Sequence, residues 1–543
     1  MNTWDDTDDM RVKRRTRTAI LLVMLLALPA VAEQKTTRLR PADGSVSYER
    51  VAGVIEAAVN RIVASQKPDG RFGFGGVARR YPIGSTALAV LALEYAGPYL
   101  TSHTDAAVRA AVAKGIVAIS QGPMENATYS SALVICALQK TGSGRYRPRI
   151  DAYASALVKG QFTEGKDAGL WGYGPAGEFP WADRSNTQFA ILGLYFAHGV
   201  GFPVPRKTWD MARDQYLRSQ SPDGGWGYRS GMRAESYVNM TLAGTISLQL
   251  CNEMLTPSGH VQCKAPPESK EVNAGLAWLA ENLSITSLDG YGLYALERLG
   301  KLGGRSELAG HDWYEEGARR LVGLSPSQAW GGPYVADCWT VLFLARGLQP
   351  IIMNKLERRG TSDWNNDPHD VRNLVEHISA KFQNEKQWRI VTLAAPVEHL
   401  LRVPILFVNG HQALAFSLQD KATLKEYVEQ GGTILAEACC GMKEFDQSFR
   451  ELVKEFWPDQ ELAPIAKDHV IYNSPVKLSE QPSLLAVTVG EGRLSIIYLP
   501  EDQSCRWEVG GPGTRGSLDL GANIYFYVVS VRGRTASEQP ERK

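Results

Sequence analysis

The chain lacks an excess of either charge. Its 543 residues carry 59 Lys plus Arg against 58 Asp plus Glu, so there is no positive field to hold nucleic acid or an anionic membrane surface, and neither is expected as a partner. Its N-terminal apolar stretch, Ala19 to Leu28, falls short of the ~20 residues that a spanning helix needs. That stretch follows the basic run Arg11 to Arg17 and precedes Ala30-Val-Ala32, small residues at cleavage spacing, so residues 1–32 read as an export signal to the periplasm or cell envelope. An uncleaved anchor is the alternative, and the one membrane contact expected. The acidic Asp5 to Asp9 suits such a signal poorly and points to Met10 as the true start. Cysteine is sparse: seven residues cannot all pair. Cys251 and Cys263 flank a loop and could form a disulfide in an oxidising compartment, whereas Cys136 reads as a small buried apolar residue.

What is present is an ordinary globular composition, 44% hydrophobic and 22% charged, with an internal repeat. Ile62-x-x-x-Gln66 leads to Pro68-Asp-Gly-Arg-Phe72, Leu157-x-x-x-Gln161 to Gly169-Leu-Trp171, and Tyr216-x-x-x-Gln220 to Gly224-Gly-Trp226; Trp330-Gly-Gly332 is a degenerate fourth copy. Small-residue-rich apolar segments follow, beginning near Ser85, Ser130, Thr187, Thr241, Tyr291 and Thr340. Their spacing of about 50 residues accommodates two helices and two loops per unit, and six units fill residues 45–350. Proline and glycine stop the first helix of a unit, and the ring that follows covers its end, with the glutamine positioned to bond free backbone groups there. Segments such as Ala87 to Leu93 are apolar nearly all round, which a helix tolerates only when buried on every side.

This repeat resembles that of squalene cyclases and protein prenyltransferase β-subunits, and the resemblance implies an all-α toroid of six helix pairs. It does not carry their chemistry over. The acid motif of the cyclases, D-x-D-D, occurs only as Asp6-Thr-Asp-Asp9, ahead of any foldable segment. The zinc site of the prenyltransferases has a suggestive counterpart in Asp337-Cys338, but those residues are adjacent and no His follows them within the six units. No Cys-Gly-Glu-Gln thioester occurs. No metal site and no cofactor are expected. The starts of the inner helices present Asp183, Arg184, Asn186, Tyr237, Asn239, Asp289, Tyr291 and Asp337, which read either as helix caps or as the lining of a ligand cavity.

Composition changes after Pro350. Leu356 to Pro368 is polar and breaker-rich, and residues 351–370 read as a linker. Buried strands at Trp388 to Ala394, Ile405 to Asn409, Thr433 to Ala438, Leu484 to Val489 and Leu494 to Leu499 then alternate with helices at Lys421 to Gln430 and Glu444 to Phe456, which predicts an α/β layered domain with a mainly parallel sheet over 371–533. Residues 534–543 read as a disordered tail. Two segments fall at strand ends, where such sheets gather ligands: Asn409-Gly-His411 and Glu437-Ala-Cys-Cys-Gly441. The region resembles the class I glutamine amidotransferase fold, and more closely a bacterial domain family of that fold with similar G-H and C-C-G segments. The resemblance would make Cys439 a nucleophile, but Glu437 stands where the first glycine of G-x-C-x-G belongs, and no His-x-Glu exists to complete a triad. Cys439, Cys440 and His411 therefore stand as catalytic candidates beside two other readings, a bound ligand or metal and simple packing.

Together these features describe an exported two-domain protein that binds a small molecule, polymer or protein in the toroid. The rival is an enzyme, either isoprenoid-processing or acting on envelope polysaccharide.

Overall fold

The computed structural model describes residues 46–537 apart from 175–177, 179, 230–234, 257–262, 324–331 and 490–491. The export segment, Asp6 to Asp9 and Trp330 lie outside the described residues. Among those described, six outer and six inner helical segments alternate along the first part of the chain. The outer ones are α1 (Tyr48–Ala64), α3 (Ser102–Gln121), the second half of α4 (Thr128–Gly160), α6 (Arg206–Ser219), α8 (Lys270–Asn282) and α10 (Trp313–Gly323). The inner ones are α2 (Pro82–Ala96), the first half of α4, α5 (Arg184–Gly199), α7 (Val238–Leu255), α9 (Gly290–Leu302) and α11 (Pro333–Gly347). The break in α4 falls at Gly142, whose φ of 145° only glycine adopts easily. Each inner helix packs on the next, and α11 returns to pack on α2, so the ring closes into an (α/α)6 toroid.

The repeats close that ring by the same set of bonds three times. The side-chain amides of Gln66, Gln161 and Gln220 donate to the carbonyls of the turn residues Gly70, Gly169 and Gly224 at 3.1, 3.1 and 2.8 Å. The same nitrogens donate to Ala111, Thr208 and Glu271 on the next outer helix at 2.8, 3.0 and 2.8 Å. The backbone N–H groups of Phe72, Trp171 and Trp226 donate to Thr86, Thr187 and Thr241 Oγ1 on the next inner helix. The indoles of Trp171 and Trp226 donate to Leu157 and Tyr216 carbonyls at 2.7 and 3.1 Å. The ring thus satisfies the end of its own helix, while the glutamine reaches forward to the next unit. At Gly70, Gly169 and Gly224, with φ of 84°, 98° and 93°, a Cβ would lie 2.5, 2.2 and 2.8 Å from a carbonyl oxygen of the following outer helix.

The second part is a layered α/β domain. Its seven-stranded sheet comprises β1 (Ile351–Leu356), β2 (Gln387–Val391), β3 (Ile405–Gly410), β4 (Thr433–Ala438), β5 (Ala463–Pro464), β6 (Leu485–Thr488) and β7 (Leu494–Leu499), in the order β2-β1-β3-β4-β7-β6-β5. The first five in that order run parallel, and the last two pairings are antiparallel. Helices α12 (Asp370–Lys381), α13 (Leu418–Glu429), α14 (Lys443–Phe456), α15 (Ser504–Val509) and α16 (Arg515–Ser537) complete the domain. Two expectations fail here. The stretch taken as a linker opens with β1, which is flanked by strands on both sides; its buried polar residues Asn354 and Lys355 disguise it in the sequence. Residues 534–537, expected as tail, belong to α16.

The α/β domain meets the last turns of the inner helices. Arg372 of α12 bonds Glu253 of α7 at 2.7 Å, Tyr195 of α5 at 3.0 Å and the Leu302 carbonyl of α9 at 3.1 Å. Lys140 pairs with Glu385, and the Gln387 side chain reaches the Arg346 carbonyl of α11. The opposite end of the toroid, where the inner helices begin, bears the polar residues singled out in the sequence.

Candidate functional sites at the toroid mouth and the sheet edge

The mouth is built where the strand after each clasp feeds an inner helix. Asp183 caps α5: its carboxylate accepts from Ser185 Oγ at 2.6 Å, from the Asn186 backbone N–H at 2.9 Å and from Asn186 Nδ2 at 2.8 Å. Burial raises this carboxyl above its ordinary value in spite of those bonds, because little water reaches the charged form. Around it stand half-buried rings. Tyr129 stacks near Tyr173 at 6.3 Å, Tyr173 meets Trp181 edge-on at 6.0 Å, and the Tyr173 and Tyr228 hydroxyls lie 3.4 Å apart. The Arg229 guanidinium lies 3.6 Å over the Trp181 ring, and Tyr237, at the start of α7, is 42% exposed.

Below this rim the barrel axis is filled. Phe189 of α5 lies 5.4 Å from Tyr294 of α9 and 6.0 Å from Trp339 of α11, which stands opposite it in the ring. Tyr294 and Trp339 are 4.7 Å apart. The Tyr291 hydroxyl donates to Gln188 at 2.6 Å in the same layer. Deeper still, Glu297 and Arg298 form a fully buried pair. Among the described residues the axis is therefore closed beneath the rim by an aromatic layer and is not a through-cavity.

Of the residues named from the sequence, Tyr237 is exposed at this rim, while Asp183 is buried behind it and Asn186 supports it. Arg184 turns away and binds the Gly227 carbonyl at 2.6 Å. Asn239 holds Asp289, which caps α9 through the Gly292 N–H. Tyr291 lies in the floor. Asp337 is bound bidentately by Arg61 of α1, and burial pushes the neighbouring Cys338 thiol up. The groups that could hold a metal among the described residues include neither Asp337 nor Cys338. Tyr129, Tyr173, Trp181, Tyr228 and Arg229 join this rim without having been singled out from the sequence. Aromatic residues just ahead of three inner-helix starts, Tyr81, Trp181 and Tyr237, were the available signal.

The second site lies at the carboxyl ends of β3, β4 and β7. Cys439 follows β4, Cys440 turns with a φ of 53°, His411 follows β3, and Cys505 opens α15 after β7. The structure brings Cys439, Cys440 and His411 together as expected, and adds two cysteines that spacing could not reveal. Cys263, between α7 and α8 of the toroid, has its Sγ 3.0 Å from that of Cys439 and 3.1 Å from that of Cys505; Cys440 and Cys505 are 3.7 Å apart. Cys263 is thus not paired with Cys251, and all seven cysteines are free. Asp367 Oδ2 lies 3.3 Å from Cys439 and accepts from Ser504 Oγ at 2.8 Å, and burial pushes its carboxyl up to about 7. The adjoining Cys263 and Cys439 thiols lower Cys505, while partial desolvation pushes Cys440 up to about 11. A thiol raised in this way is poorly suited to be a free nucleophile at neutral pH.

Residues 353–529 match a family model described as Domain of unknown function (DUF4159). No curated protein matches the chain. Among solved structures it is similar to an α-1,6-mannanase of Salegentibacter sp. HEL1_6, as an inactive variant in complex with α-1,6-mannotriose, at 11% identity, covering 56% of this chain and 99% of that one with a TM-score of 0.39. It is also similar to a possible member of the GH105 family from Salmonella enterica, at 9% identity over 57% and 96% of the two chains with a TM-score of 0.27.

Proposed function

We propose that the protein is an exported binding protein whose toroid mouth takes an uncharged polyhydroxylated ligand, an oligosaccharide chain being the chemistry that suits it. The observation that carries this reading is the rim of Tyr129, Tyr173, Trp181, Tyr228 and Tyr237 around the buried acid of Asp183. Flat rings stack on the C–H faces of a sugar, and phenolic hydroxyls exchange hydrogen bonds with its hydroxyls. The α/β domain meets the other end of the ring, so a ligand of the toroid is expected at this rim.

A second reading, hydrolysis of an envelope polysaccharide, needs a general acid, and Asp183 is a buried carboxyl at the rim that desolvation raises above its ordinary value. Glycoside hydrolysis ordinarily needs a second carboxylate across the bond. Two other carboxylates named from the sequence are engaged: Asp289 with Asn239 and a helix end, Asp337 with Arg61. Probing a glycan array with the full chain, and assaying retained glycans for released reducing ends, tests both. The binding reading expects retention of an oligosaccharide class without new reducing ends. Release that disappears in Asp183→Asn favours the enzyme, and an array with nothing retained overturns both.

A further inference from the structure

The four cysteines at the domain seam are arranged for one ion. Every pair of the sulfurs of Cys263, Cys439, Cys440 and Cys505 lies within 4.8 Å, with three separations of 3.0, 3.1 and 3.7 Å. A tetrahedron of thiolates at the usual zinc–sulfur distance of about 2.3 Å has edges of about 3.8 Å; the 3.7 Å separation matches that edge and the other two are shorter, so the four sulfurs are compact enough to close on a single ion after a small outward shift. An iron–sulfur cluster, which spreads its cysteines over several irons, would hold them further apart. None of the four is in a disulfide.

Their surroundings fit a ligand set. His411 Nε2 is buried without a hydrogen-bond partner among the described residues, and a His411 nitrogen lies within 4.8 Å of the sulfurs of Cys263, Cys439 and Cys440. A ring N–H there can donate to a metal-bound thiolate, the usual support around such ions. Ser504 Oγ lies 3.6 Å from the Cys439 sulfur. Cys440 adopts a left-handed conformation at φ 53°, and Cys263 has a φ of 38°; a residue with a side chain holds such a backbone only where its surroundings fix it.

We propose that Cys263, Cys439, Cys440 and Cys505 coordinate one zinc ion, which fastens the segment between α7 and α8 to the ends of β4 and β7. The set is all sulfur and leaves no position for water, so the ion is a clamp between the toroid and the α/β domain and not a hydrolytic centre. Each thiol gives its proton to solvent on ligation, so the ion is lost as the medium becomes acid.

The test is cobalt titration of the reduced, metal-free full-length protein. One equivalent is expected to saturate a sulfur-to-cobalt charge-transfer absorption and the visible bands of tetrahedral cobalt, and one equivalent of zinc to bleach them. Cys440→Ser, at the exposed one of the four side chains, is expected to weaken binding by roughly a hundredfold and to shift the visible bands. Cys251→Ser is expected to leave the spectrum unchanged. No saturable cobalt spectrum in the wild type, disulfides among the four in protein isolated without reductant, iron with labile sulfide, or a Cys440→Ser titration identical to the wild type would each overturn the assignment.

Discussion

Trp226 shows how much one side chain does in this protein. Its ring is fully buried, its indole satisfies the end of α6, and Gly244 and Gly275 of two helices press against its face. Trp226→Ala is expected to cost about 3–5 kcal/mol, read as a lowered midpoint in thermal or urea unfolding. Gln220→Ala strips a donor from two carbonyls in different units and is expected to cost about 1–3 kcal/mol in the same measurement. These residues were legible because the clasp is local, with glutamine, turn and ring within about ten positions of one another. The thiol cluster was only half legible for the opposite reason. Cys439 and Cys440 announce themselves as neighbours beside Gly441, whereas Cys263 and Cys505 join them from 176 and 65 residues away. Sequence spacing carries no trace of such meetings; only the closure of the fold produces them.

At the scale of elements, α12 joins the two halves through His369, just ahead of it. Burial alone would lower this imidazole, but hydrogen bonds to Glu253 of α7 and Glu508 of α15 outweigh it and raise the group to about 9. A raised folded-state value means the contribution is complete below the unfolded value of about 6.5 and fades as pH climbs through 9. The unfolding midpoint is therefore expected to fall between those limits, and His369→Gln to flatten that part of the profile. In the clasps, Gly169→Ala puts a methyl 2.2 Å from the Met211 carbonyl oxygen in a left-handed turn, so a loss of more than about 1 kcal/mol is expected. Element types were largely readable from apolar periodicity: β4 and β7 lie where the sequence puts them. β1 was lost because a strand that buries Asn354 and Lys355 looks like a linker until their partners are known. Those are the Leu400 carbonyl for Asn354, and Asp370 with the Asp367 carbonyl for Lys355.

At the scale of the whole molecule, the described residues fill the toroid along its axis, and the α/β domain meets one of its ends. No helix among the described residues is long and apolar enough to cross a membrane. The toroid was visible in the sequence as a period, and its polar inner-helix starts as candidates. Which of those starts face outward was not visible, because a helix cap and a ligand contact use the same residue types. Asp289 and Asp337 proved to be internal fastenings, and the rim turned out to be mostly tyrosine. Central to the account is that this rim binds. The direct measurement is calorimetric titration of the wild-type chain and of Tyr237→Ala with the oligosaccharide retained on the array. Tyr237 is exposed, so its loss leaves the fold intact. Saturable binding by the wild type, weakened about tenfold or more in the variant, is the predicted result; equal affinity in both proteins would contradict it.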